Sequence, residues 1–148
     1  MTSTNRLTDP KQRGDWAELT FMARAAREGL LVSRPFGECR YDVGVEYNGN
    51  HKRVQVKSSL HRRRNRSYCL HVRTTQRQPY HPSDIDFLAA YLIQVDQWYI
   101  LPVEQLWTPN GPISALHITP EGKQQKWKDY KEAWHLLRGE TRPNEQRR

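Results

Sequence analysis

With 148 residues, five Trp and seven Tyr, the chain is long enough for one domain with a buried core and too aromatic for a disordered one. No stretch is long and apolar enough to cross a bilayer and no signal-peptide core follows the start, so the cytoplasm is the expected setting; the basic run is not an amphipathic helix, so no membrane partner is expected. The net charge of +8 points instead to an anionic macromolecule.

Residues 1–7 and 140–148 read as polar tails around a single domain spanning 1–148. Thr8 or Asp9 can cap a helix with Pro10 in its first turn, which runs to about Glu28 and stops at Gly29. Leu30 to Phe36 reads as a strand. The segment from Arg40 to Ser59 is a hairpin, because two alternating runs flank Asn48-Gly49. With the turn centred there, paired residue numbers sum to 97, so Asp42 faces Gln55 and Arg40 faces Lys57. Tyr41, Val43 and Val45 join Val54 and Val56 on an apolar side; Asp42, Gly44 and Glu46 share the polar side with Gln55 and Lys57. Ser67 to Thr74 alternates again, with Tyr68, Leu70 and Val72 inward. Phe87 to Val95 is nearly continuous apolar sequence, as in a strand buried on both faces, and Asp96-Gln97 turns it into Trp98 to Leu101. Thr119-Pro120 is expected to open a last helix with Trp127, Tyr130, Trp134 and Leu137 on one face, a core or subunit contact, and Gly139 as its stop. A helix, a run of strands and a helix make an α/β sandwich on a mixed sheet.

The charge is concentrated. Between Tyr47 and Ser83 there is no acid but nine Lys or Arg, so that stretch alone carries +9. Nucleic acid is the leading partner. The loop His61-Arg62-Arg63-Arg64-Asn65-Arg66 is its densest part. The candidate phosphate contacts are Arg40, Lys52, Arg53, Arg62, Arg63, Arg64, Arg66, Arg73 and Arg77. Cys39 and Cys69 show no CxxC pairing and the six His no ligand spacing, so no structural zinc site is expected.

Two polar features carry chemistry. Glu18 shares a helix face with Phe21, Met22 and Ala25, where an unpaired carboxylate is costly; it either meets a donor or cation or reaches solvent at the stripe's edge. Asp42, Gln55 and Lys57 converge by alternation, either as an ordinary solvated hairpin face or as a site for a hard divalent ion. Such an ion lowers the pKa of bound water and offsets charge growing on a phosphodiester, and a lysine two residues along the strand can neutralise the phosphate.

Glu18, then Tyr41-Asp42, then Gln55-Val56-Lys57 resembles the PD-(D/E)XK nuclease superfamily. The text GDWAELTFMARAAREGLLVSRPFGECRYDVGV, together with DIDFLAAYLIQVDQWYILPVEQL and the closing YKEAWHLL, is similar to its small branch of a group I intron homing endonuclease and archaeal Holliday-junction resolvase relatives. The resemblance implies a restriction-endonuclease-like mixed β-sheet flanked by helices, with an α-β-β-β-α-β core, and Mg²⁺-dependent hydrolysis of DNA (Mn²⁺ substituting). Carried over by position, Glu18 is the helix-borne acid and a metal ligand, Asp42 the central ligand, Gln55 the third ligand position and Lys57 the catalytic lysine. Tyr41 stands where the motif has proline. Gln55 stands where it has an acid, as in the intron-encoded member, and offers a neutral carbonyl oxygen. The readings that follow are a double-stranded DNA endonuclease of homing type, a junction resolvase, or a nuclease fold that binds DNA without cutting it. Two-fold DNA targets suit a homodimer or homotetramer.

Overall fold

The computed structural model describes residues 7–123 and 126–140. The tails expected at 1–7 and 140–148 lie almost wholly outside the described residues, as do residues 124 and 125 of the expected last helix. Helix α1 (Pro10–Arg27) begins as the sequence predicts: Asp9 caps it, its Oδ2 accepting from the Gln12 N–H at 3.0 Å. Gly29 follows its end with φ +85°.

Five strands form the main sheet: β1 (Leu31–Ser33), β2 (Val43–Tyr47), β3 (Asn50–Ser59), β5 (Phe87–Leu92) and β6 (Gln97–Pro102), side by side in the order β1-β2-β3-β5-β6. Only the β3–β5 pair is parallel. Strand β4 (Tyr68–His71) lies outside this sheet and pairs with β9 (Ala115–Ile118), while β7 (Trp107–Thr108) and β8 (Gly111–Pro112) make a small hairpin. No helix among the described residues is long and apolar enough to cross a membrane.

Alternation along β5 explains the two cores. Phe87, Ala89 and Tyr91 face α1, joining Ala17, Phe21 and Ala25 with Val43, Val45, Val54 and Val56. Leu88, Ala90 and Leu92 face the opposite way, onto Tyr68, Leu70, Val72, Leu116 and Ile118 of the β4–β9 layer. All six residues of β5 are buried, as predicted for the strand at Phe87.

The hairpin register is the predicted one, Tyr47↔Asn50 through Val43↔Val54, with Asn48 and Gly49 both at positive φ (51° and 80°) as a two-residue primed turn requires. Other expectations need correction. The first strand ends at Ser33, before Pro35, which cannot donate to a ladder; Phe36 is fully exposed. The crossover from β3 to β5 contains β4 and loops bearing Pro79 and Pro82, so the second helix of an α-β-β-β-α-β core is missing and α1 is the one α-helix among the described residues.

The last helix is likewise replaced, by short 3-10 turns at Lys128–Tyr130 and Trp134–Leu136. The reason is tertiary. Trp127 packs into the β4–β9 core but Trp134 and Leu137 into the α1 core, so one helix face could not serve both. Glu132 breaks the chain between them at φ 51°. Its N–H donates to the Trp98 carbonyl at 2.7 Å, and its carboxylate accepts from Trp98 N–H, Trp134 Nε1–H and Arg24.

Candidate active site

The site sits where β2 and β3 part. The β2–β3 ladder ends at Val43↔Val54, while β3 continues to Ser59 beside β5 alone. Asp42 lies at this fork. Its backbone N–H donates to the Val54 carbonyl at 2.9 Å, and its Oδ2 accepts from the Val56 N–H at 2.9 Å, so the carboxylate takes over where the ladder stops. Asp42 and Gln55 line the same cavity, although the paired register stops one residue short of them, at Val43↔Val54. Arg40, expected opposite Lys57, is outside the ladder and pairs with Asp84 at 3.2 Å.

Glu18 reaches this point from α1. Its side chain is only 16% exposed, so the helix edge does not deliver it to open solvent. It meets two partners, the Arg34 guanidinium at 3.5 Å and the Asp42 carboxyl, within hydrogen-bonding reach. Burial, then the charge of Asp42 and the hydrogen bond with it, push Glu18 up to about 7, with Arg34 opposing. Burial also raises Asp42, against the Val56 N–H, the Glu18 hydrogen bond and the charges of Lys57 and Arg34. Two carboxyls held together in this way cannot both ionise cheaply without added positive charge.

Lys57 lies beside them on β3. Burial lowers its pKa and the Asp42 charge opposes the shift. Its Nζ donates to the Arg73 carbonyl at 3.3 Å and stands 5.6 Å from the centre of the Tyr80 ring. The Tyr80 hydroxyl donates to the same carbonyl at 3.4 Å, and burial followed by the Asp42 charge raises it to about 12. Asp42, Gln55 and Tyr80 line one cavity of about 480 Å³, walled further by residues 38–40 and 74–76. Sequence reasoning missed Arg34 and Tyr80. The first carried no signal beyond a basic residue beside Pro35; the second lies in a Pro-bearing loop brought in from afar.

Among the described residues no three His, Cys, Asp or Glu side chains cluster as a metal site. A cation here would rest on two carboxylates and the Gln55 amide oxygen, a hard-oxygen set of the kind that leaves room for water and a phosphate oxygen. The raised pKa values of Glu18 and Asp42 fit such an ion, since a divalent charge removes the repulsion that burial and proximity create.

The basic residues separate into two groups. Arg53 is committed inside the fold: Nε and Nη2 donate to the Asp86 carboxylate at 3.1 Å each, and Nη1 and Nη2 to the Ser83 and Pro82 carbonyls. Arg62 forks onto Glu121, with Nη1 donating to Oε2 at 2.7 Å and Nη2 to Oε1, and its Nε donates to the Tyr68 hydroxyl. Arg73 donates to the Arg77 carbonyl. Arg63, Arg64, Arg66 and Arg77 are exposed, and Lys52 is half-buried. Among the described residues no ion pair or hydrogen bond engages the Arg63 or Arg64 guanidinium.

The profile of the PD-(D/E)XK endonucleases matches residues 8–137, which includes Glu18, Asp42, Gln55 and Lys57. Nucleases of that family generally use divalent metal ions. A solved structure, the bacterial homing endonuclease I-Ssp6803I, superposes with a TM-score of 0.74 at 30% identity, covering 88% of this chain and 92% of that one. No curated protein matches the chain. A profile match that spans α1 through the Trp134 turn, and a fold shared over most of both chains, have one reading: this chain belongs to the PD-(D/E)XK endonuclease family.

Proposed function

We propose that residues 1–148 act as one domain that cuts double-stranded DNA with Mg²⁺, Mn²⁺ substituting. In this reading Glu18, Asp42 and Gln55 hold the ion and Lys57 neutralises the phosphate under attack. The observation that carries it is the meeting of the Glu18 and Asp42 carboxyls, from α1 and from the β2–β3 fork, beside Lys57. When bound, the ion supplies positive charge against the negative charge growing on the phosphodiester. The likeness to a bacterial homing endonuclease supports a site-specific, homing-type activity, and a cytoplasmic setting is part of the same proposal. One site per chain cuts one strand, so a homodimer or homotetramer is proposed for double-strand breaks. Gln55 favours a second reading, a nuclease fold that holds DNA without cutting, because an amide supplies no ligand charge. Incubating the protein with a randomised duplex library, with and without Mg²⁺ or Mn²⁺, separates the two: metal-dependent ends support the first reading, and tight binding with no ends supports the second.

Tyr80 should set the aim of the lysine. Tyr80→Leu is expected to slow cleavage about tenfold and Tyr80→Phe less than about threefold, because Phe keeps the ring beneath the ammonium. Single-turnover rates on a cleaved duplex check this, and equal losses in both variants would remove the ring's role.

The exposed arginines make a second expectation. Arg63→Ala with Arg64→Ala should weaken duplex binding across sequences and flatten the plot of log affinity against log salt by about 2, one phosphate each. Arg62→Ala should act differently, lowering stability through the lost Glu121 and Tyr68 contacts. An unchanged salt slope in the Arg63/Arg64 variant would place the phosphate contacts elsewhere.

A further inference from the structure

A second cavity, of about 450 Å³, is also lined by Lys57, together with Arg13, Ser58, Ser59, His61 and His71. Among the described residues no carboxylate lines it. Two cations, two imidazoles and two serines line it beside the apolar Leu60, Cys69 and Leu70, and they come from three places: the first turns of α1, the free half of β3, and β4 with the loop before it. Backbone adds to the side chains. Past Val54 the β2-facing edge of β3 is open, and Asp42 satisfies Val56 there. Strand alternation turns the Ser58 N–H toward that same edge, two residues on, where β2 has no residue left to accept it. Cationic and neutral donors with no carboxylate among them are the composition of an oxyanion site. His61 leads directly into the exposed Arg63 and Arg64, so the positive surface continues from the cavity outward.

We infer that this cavity is a subsite for a phosphodiester group of the substrate strand next to the bond that is cut, placing the strand across the open edge of β3 with Lys57 between the two phosphates. This rests on the nuclease reading above and extends it to residues outside the motif. Arg13 supplies the charge, and His71, His61 and the Ser58 hydroxyl supply hydrogen bonds.

The test uses a duplex that the wild-type protein cuts, remade with a single uncharged methylphosphonate linkage at each position flanking the break. The wild type should slow about tenfold when the neutral linkage occupies the subsite, the loss of one charged hydrogen-bonded contact. Arg13→Ala/His71→Ala should cut the all-phosphate duplex about tenfold more slowly and show no further loss at that linkage. Arg13 also donates to the Leu7 carbonyl at 3.2 Å, so His71→Ala alone, at an exposed residue, is the second variant; it should lose about threefold and halve the linkage effect on a logarithmic scale. If both variants keep the full wild-type sensitivity, the subsite is overturned while the nuclease reading stands. If the wild type cuts no duplex with Mg²⁺ or Mn²⁺, the nuclease reading falls and the subsite falls with it.

Discussion

Asp42→Asn should slow DNA cleavage by about a thousandfold or more while leaving the fold and duplex affinity nearly intact. Asparagine is the informative substitute because its side-chain carbonyl can still accept the Val56 N–H that Asp42 accepts at 2.9 Å. The ladder fork is therefore preserved, and only the charge at its tip is lost. The same change relieves Glu18, whose raised pKa owes its second and third contributions to Asp42. Lys57→Ala should cost about a hundredfold or more, and Lys57→Arg should not restore the rate. A planar guanidinium fits neither the donation to the Arg73 carbonyl nor the position over the Tyr80 ring in the manner of a compact ammonium. Single-turnover cleavage, thermal unfolding and duplex binding in Ca²⁺ together check the claim. Cleavage by both variants within about threefold of wild type, with folding intact, would remove Asp42 and Lys57 from the reaction.

How much of this could be read from the sequence depends on the range of the contact. The hairpin register was legible because Asn48-Gly49 fixes the turn and period-two alternation fixes every pair behind it. The twice-buried β5 was legible because an unbroken apolar run has few other uses. That Asp42 and Gln55 would share a polar side followed from the same alternation, and they line one cavity although the ladder itself ends at Val43↔Val54; that Glu18 would reach Asp42 came from resemblance, and no helix periodicity contains it. Long-range partners were invisible. The basic run looked uniformly available, yet Arg53 finds Asp86 33 positions away and Arg62 finds Glu121 59 positions away, both outside the acid-free stretch. The C-terminal aromatic spacing failed for a related reason. Helical periodicity assumes one face and one core, whereas Trp127 and Trp134 serve opposite sides of the sheet, and Glu132 is held by Trp98 and Arg24 on distant elements.

The carboxyl pair should couple stability, proton uptake and divalent ions in a way that a solvated hairpin face would not. Glu18 has a folded pKa of about 7 against an ordinary value of 4.5. Between those values the folded chain keeps a proton that the unfolded chain releases, so stability is lost as pH rises through this window. After allowance for solvent screening at a partly open site, the loss is about 1 kcal/mol from pH 5 to 7.5 without metal. Glu18→Gln carries no such proton, and its stability should vary less over the same range. A divalent ion demands ionised ligands, so its binding near pH 6 should release close to one proton, and its affinity should fall about tenfold for each pH unit below 7. Adding the ion should reverse the slope, making the loaded protein more stable at pH 7.5 than at pH 5.5. Calorimetric titration of Mg²⁺ or Mn²⁺ in two buffers of different ionisation heat, with thermal unfolding at each pH, measures all three quantities. If ion binding releases no proton, or if Glu18→Gln keeps the wild-type pH slope, the two carboxyls do not share a proton and do not form the ion's seat.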